Sequence, residues 1–173
     1  MLLTPSKRQG SPVTIRRELR PDDAAAIQRL HAAIYGREHG VNATFEDDVA
    51  ETLSATLAAG WPERGGFWAV EEEGRLAGTL ALTEESPSAA RVRWFLLDPS
   101  LRGQGVGRRL LGELIAEADE TGYELLLLDT FSKLRTAAHL YRGHGFEVTD
   151  EREWTRWGPT LLLQRYERRR RVQ

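Results

Sequence analysis

The chain has 173 residues, 40% of them hydrophobic and 29% charged, with a formal net charge of −2 and no cysteine. That length suits one domain with a sizeable core, and the absence of cysteine excludes disulfides, thiolate metal sites and cysteine nucleophiles. The charge balance gives no overall attraction to nucleic acid, no apolar run approaches the roughly 18 residues of a membrane span, and a soluble, cytoplasmic protein is expected. Four histidines (His31, His39, His139, His144) lack the spacing of a metal-binding motif, so no metal is expected.

Residues 1–12, with Ser, Pro, Lys and Gly, read as a loose tail. Val13–Leu19 alternates as a strand, and Pro21-Asp22-Asp23 is a turn with Asp as N-cap of a first helix running to about Ala33. Tyr35–Thr44, with two glycines and an Asn, reads as a loop before a second helix over Phe45–Ala59. Glu46, Asp47 and Asp48 sit in that helix's first turn, where its dipole favours acids. Phe67–Glu71 and Leu76–Thr83 are predicted strands of a hairpin around Glu72-Glu73-Gly74-Arg75. Glu84 and Glu85 are expected as solvated carboxylates in a polar turn.

The centre of the chain is Val92–Gly122. Val92–Leu97 is β-branched and aromatic, and Asp98-Pro99 stops it. Val106, Leu110, Leu111, Leu114, Ile115 and Ala118 then form a one-sided apolar stripe at helical period, closed by Gly122. Between them lies Arg102-Gly103-Gln104-Gly105-Val106-Gly107. Glycines there let the backbone turn tightly, and the first amides of the following helix (Gly105 to Arg108) lack intrahelical acceptors, so they suit a phosphate or pyrophosphate. A strand–helix turn that binds nothing is the alternative. A P-loop needs Lys-Ser/Thr where Arg108-Arg109 stand, and the dinucleotide fingerprint needs another glycine spacing than Gly103, Gly105, Gly107.

Glu124–Thr130 is a continuous apolar run expected to be a strand covered on both faces, parallel to the central one through a right-handed crossover. Leu134–His144 reads as a helix ended by Gly145. Phe146–Asp150 and Thr160–Tyr166 close the sheet as an antiparallel pair. The terminal Arg168–Arg171 cluster reads as part of a solvated tail over 168–173, with a nucleic-acid contact the weaker alternative.

Arg102-x-x-Gly105-x-Gly107 resembles the pyrophosphate loop of the GNAT superfamily of acyl-CoA-dependent N-acetyltransferases, and Leu140-Tyr141…Gly145-Phe146 resembles the family's Leu-Tyr-x-x-x-Gly-Phe. Together they cover about Val92–Val148. The resemblance implies an α/β (α+β) domain with a mixed, mostly antiparallel central sheet, a parallel central strand pair and flanking helices. It also implies acetyl-CoA as co-substrate and transfer of its acetyl group to a primary amine in a ternary complex. A non-catalytic acyl-CoA sensor is the alternative.

Carried over by position, Phe95, Leu96 and Leu97 meet the pantetheine and acetyl group through their backbone. Arg102, Gly103, Gln104, Gly105, Val106, Gly107 and Arg108 hold the pyrophosphate, and an unpaired amide near Leu97 stabilises the oxyanion. Tyr141 is the candidate general acid, or else a core residue. Asp129, the carboxylate that follows the apolar run Leu125–Leu128 in its strand, is the candidate base directly or through water, or else a carboxylate capping the Ser132 turn. Tyr35, His39 and Phe45 are placed to touch the acceptor, or else to pack. Leu134 departs from the family pattern, which has Asn there to contact CoA. Acceptors from metabolites to peptides remain open, as does a homodimer.

Overall fold

A computed structural model describes residues 12–61 and 63–171. The elements are β1 (Val13–Arg16), α1 (Asp23–His39), α2 (Ala43–Ala58), β2 (Gly66–Glu72), β3 (Arg75–Ser86), β4 (Ala89–Leu97), α3 (Val106–Thr121), β5 (Leu125–Phe131), α4 (Arg135–Gly143), β6 (Glu147–Trp154) and β7 (Leu161–Arg169). The strands form one sheet in the order β1-β2-β3-β4-β5-β7-β6. Every neighbouring pair is antiparallel except β4 with β5, which the crossover through α3 joins in parallel.

The sheet carries apolar residues on both faces. On one, Leu110, Leu111, Leu114, Ile115 and Ala118 of α3 pack with Leu80, Leu82, Val92, Leu126, Leu128 and Tyr166. Each fully buried leucine there contributes about 1.5–3 kcal/mol relative to exposure. On the other, Ile27 of α1 and Phe45, Val49 and Leu53 of α2 cover Phe67, Ala69 and Ala81. α3 begins at Gly105, whose φ of 79° lies in the left-handed region open to glycine.

Several boundaries move from their sequence positions. α1 continues through Gly36 to His39, because the buried face Ile27, His31, Ile34 outweighs the roughly 1 kcal/mol that a mid-helix glycine costs. Tyr35 and His39 are therefore helical rather than in a loop. α2 begins at Ala43 rather than Phe45, and Asn42 caps it, its side-chain oxygen accepting the Thr44 amide at 3.0 Å. Glu84 and Glu85 belong to β3 and are paired, with Arg64 (3.2 Å) and Arg91 (2.9 Å) respectively.

At the C-terminus β7 runs to Arg169, beyond the Tyr166 expected. Arg168 pairs with Asp119 at 3.0 Å, and the Arg170 amide donates to the Glu124 carbonyl at 2.8 Å. The loose N-terminal tail expected for residues 1–12 lies outside the described residues except for residue 12, as does the end of the C-terminal one.

Candidate functional site

The site begins where two parallel strands part. β4 and β5 pair only from Ala89–Arg91 to Leu125–Leu127, and beyond Arg91 β4 has no partner on that side among the described residues. Its pairing with β3 also shifts register between Thr79 and Ala81, opposite Leu96 and Arg93. Trp94, inside that bulge, has a φ of 46°, a conformation costing roughly 1–3 kcal/mol in a non-glycine residue. Two hydrogen bonds hold it: the Thr79 hydroxyl donates to its carbonyl at 2.5 Å, and its indole Nε1–H donates to Thr52 Oγ1 on α2 at 3.2 Å.

The Asp98 amide donates to the Ala77 carbonyl at 2.7 Å. Because successive amides alternate sides along a strand, the Leu97 N–H turns away from β3 and into the gap. An unpaired backbone donor in a low-dielectric cleft can stabilise an oxyanion.

On the α3 side, the gap opens into a groove of about 680 Å³, within the roughly 300–1,000 Å³ usual for cofactor and ligand sites. Its walls include Phe95 to Leu97, Leu101 to Gly103, Gly105 to Arg108, and Lys133 to Ala137. The Val106, Gly107 and Arg108 amides at the start of α3 have no intrahelical acceptor and carry the positive end of its dipole. Arg108, Lys133 and Arg135 reach the groove from three segments and make no ion pair among the described residues. Arg102 also lines it, donating to Glu38 Oε1 at 2.7 Å and to the Leu97 carbonyl at 3.3 Å. Free amides and three uncommitted cations fit a polyphosphate tail.

On the α1/α2 side lies a second cavity of about 180 Å³. Tyr35, Phe45, Trp94, Phe95, Phe131, Tyr141 and Trp157 give it aromatic walls, with His31, Asp129 and Thr130 as polar members. Tyr35 meets Phe45 edge-on at 5.0 Å between centroids, and Phe45 meets Trp157 in the same way at 5.0 Å. Burial pushes the Tyr35 phenol up to about 12. His31 is 3% exposed; its Nδ1–H donates to the Ile27 carbonyl at 2.8 Å, and burial lowers its pKa to about 4. At neutral pH it is an uncharged imidazole.

The two cavities meet at Tyr35, Phe95 and Tyr141. Tyr141, on α4, packs near Phe95, Phe146 and Tyr166, with centroids 5.5–6.3 Å away. Burial, with the neighbouring phenols, raises its pKa well above the ordinary tyrosine value. Its hydroxyl has no hydrogen-bond partner among the described residues.

Of the ten residues expected at the cofactor, nine line the groove. Gln104 does not: its amide donates to the Ser100 carbonyl at 2.6 Å. Leu134 lines it as an apolar residue. Tyr35 and Phe45 line the aromatic cavity. His39 instead lines the groove, edge-on to Phe131 at 4.9 Å; its buried Nε2 has no hydrogen bond among the described residues, Glu38 Oε2 being 3.8 Å away.

Asp129 is in the cavity wall, but both its oxygens are engaged, by Arg91 (2.5 Å) and by Arg165 (2.9 Å). The Ser132 amide goes to the Leu162 carbonyl at 2.9 Å, so Asp129 does not cap that turn. Sequence reasoning did not single out His31, Trp94, Trp157, Lys133 or Arg135. For His31 a signal exists, since Ile27, His31 and Ile34 share one helical face.

A groove suited to a polyphosphate-bearing carrier and a small aromatic cavity, meeting at Tyr35, Phe95 and Tyr141, define a transferase that brings a carried group to an acceptor. The profile of the acetyltransferase (GNAT) family matches residues 26–146, and the chain belongs to that family. The family's general activity is transfer of an acetyl group from acetyl-CoA to an amine.

The chain is 28% identical over 117 residues to an uncharacterised N-acetyltransferase of Schizosaccharomyces pombe, covering 67% of this chain and 72% of that one. It is 28% identical over 140 residues to the uncharacterised N-acetyltransferase YjgM of Escherichia coli, covering 79% and 83%. Among solved structures, the Salmonella typhimurium protein yncA, determined with its cofactor acetyl-CoA, shares the fold at a TM-score of 0.66 and 22% identity, covering 94% of this chain and 96% of that one.

Proposed function

We propose that the chain acetylates the primary amine of a small acceptor held in the aromatic cavity, with acetyl-CoA in the groove, by direct attack in a ternary complex. The observation that carries this reading is that Tyr141 belongs to both cavities at once. Bound acetyl-CoA supplies an activated acyl thioester. The Val106, Gly107 and Arg108 amides hold its pyrophosphate, with Arg108, Lys133 and Arg135 neutralising charge around it. Arg102 ties that loop to α1 through Glu38.

The Leu97 N–H meets the carbonyl oxygen and strengthens its bond as negative charge develops there. Tyr141 is kept protonated by burial and gives its proton to the departing sulfur. Asp129 is the carboxylate facing the acceptor, and we assign it reception of the amine proton through water, since direct uptake breaks a bond to Arg91 or Arg165. At about 180 Å³ the cavity falls below the roughly 300 Å³ at which drug-sized sites begin, which favours a small amine over a folded protein.

The test is CoA release measured against a panel of primary amines, with Tyr141→Phe beside the unaltered chain. Amine-dependent release is expected, and the variant should lose ~10²–10⁴-fold in kcat. Acetyl-CoA affinity should persist, because the proton is needed only as the C–S bond breaks. Acetyl-CoA binding without amine-dependent release makes the domain a sensor and overturns transfer. Full activity in the Phe variant returns Tyr141 to the core.

A further inference from the structure

The walls of the aromatic cavity are not all held in the same way. Among the described residues that line it, Trp157 alone lies outside a helix or strand, in the connection between the end of β6 at Trp154 and the start of β7 at Leu161. His31, Phe45, Trp94 and Tyr141 are carried by hydrogen-bonded helices and strands. A residue in a connection has no such ladder, so the place of this indole depends on its own contacts.

Two hydrogen bonds hold it among the described residues, and both come from the start of α2. The Asn42 amide donates to the Trp157 carbonyl at 3.0 Å, which pins the main chain. The Trp157 Nε1–H donates to Asp48 Oδ2 at 2.7 Å, which fixes the direction of the ring. The ring so turned meets Phe45 edge-on at 5.0 Å between centroids. An indole has one polar hydrogen, and its bond to an ionised carboxylate is roughly twice as strong as one to a neutral acceptor. The same carboxylate accepts Arg156 Nε–H at 3.0 Å and Nη2–H at 2.8 Å, but that guanidinium is half-exposed and its pairing is screened by water.

Asp48 is not among the described residues lining the cavity or the groove, so its oxygens act on the acceptor only through Trp157. A tryptophan free to change rotamer leaves part of the wall open, whereas a fixed one keeps the cavity at about 180 Å³. A compact amine then gains contact on every side, and a bulkier one meets a ring that does not yield. We propose that Asp48 is a positioning residue, which sets Trp157 as a wall of the acceptor cavity and thereby selects compact amines over bulky ones. This rests on the aromatic cavity being the acceptor site.

The experiment compares three primary amines of rising bulk: isobutylamine, 2-phenylethylamine and 2-(1-naphthyl)ethylamine. CoA release gives kcat and KM for each with the unaltered chain, Asp48→Ala, Asp48→Asn, Trp157→Phe and the double variant of Asp48→Ala with Trp157→Phe. Acetyl-CoA binding is followed separately by thermal shift. The unaltered chain should favour the smaller amines over the naphthyl one in kcat/KM. Asp48→Ala should shrink that preference ~10-fold, the low end for a change of one contact in an apolar pocket, and through KM rather than kcat. Trp157→Phe keeps a ring and loses the donor, so it should shrink the preference as much, and the double variant should go no further. Asp48→Asn, which keeps an oxygen for the indole, should fall between. The response to acetyl-CoA should persist throughout, because neither residue lines the groove among the described residues. Trp157→Phe carries the test if Asp48→Ala does not fold. No preference in the unaltered chain, a preference untouched by both single variants, additive losses in the double one, or loss of the acetyl-CoA response in both singles overturns the assignment and leaves acetyl transfer standing. Acetyl-CoA binding with no amine-dependent release from the unaltered chain overturns both.

Discussion

His31 stands on the buried face of α1, with Nδ1 bonded to the Ile27 carbonyl of its own helix, and lines the aromatic cavity. Burial lowers its pKa from 6.5 to about 4, so the folded chain binds the proton less well than the unfolded chain. The stabilisation from the neutral ring is complete above pH 6.5 and is lost as pH falls toward about 4, a difference of about 3 kcal/mol. Urea unfolding between pH 7.5 and 4 should therefore show a steep decline in the unaltered chain and a flatter one in His31→Gln. Equal slopes across that window sink the assignment. At this scale the sequence is legible where a motif fixes a residue, as for Tyr141. It is opaque where a partner is distant: nothing near Asp129 announces that Arg91 and Arg165, 38 and 36 residues away, hold its carboxylate.

The order of strands and helices, the parallel pair and the crossover follow from apolar period and turn residues, and the structure agrees with each. The parting of β4 from β5 does not follow from them, because it depends on the bulge at Trp94 and on how closely β3 approaches β4. Gly78 sets that approach. A Cβ there meets Leu97 Cδ2 at 2.6 Å and the Leu96 carbonyl oxygen at 3.0 Å. The leucine methyl can rotate aside, but the backbone oxygen has to move with its strand. Gly78→Ala should thus cost about 1–3 kcal/mol and displace the Leu97 amide from the carbonyl it serves. Both Tm and kcat should fall, with kcat normalised to folded protein. A lower Tm with kcat intact means that β3 braces the sheet without setting the oxyanion donor, and no change in either means the strand absorbs the methyl.

Taken whole, the molecule gathers cations from α3, the turn after β5 and the start of α4 around one groove, although its net charge is −2. Arg108, Lys133 and Arg135 pair with nothing among the described residues, so they add little to the fold itself. Ligand binding should convert them into stability: at a hundredfold excess over Kd, acetyl-CoA adds about 2.7 kcal/mol, or roughly 5–10 °C in Tm for a chain of this size. The triple variant Arg108→Gln, Lys133→Gln, Arg135→Gln should melt close to the unaltered chain when alone. Its rise with acetyl-CoA should be much smaller, and the unaltered chain's rise at fixed acetyl-CoA should shrink as salt screens the phosphates. S-acetylpantetheine, which has the thioester arm and no phosphate, isolates the cause, and both proteins should respond to it alike. If the triple variant keeps the full rise with acetyl-CoA, the pyrophosphate does not lie among these side chains. If it loses the response to S-acetylpantetheine as well, the substitutions have closed the groove rather than discharged it.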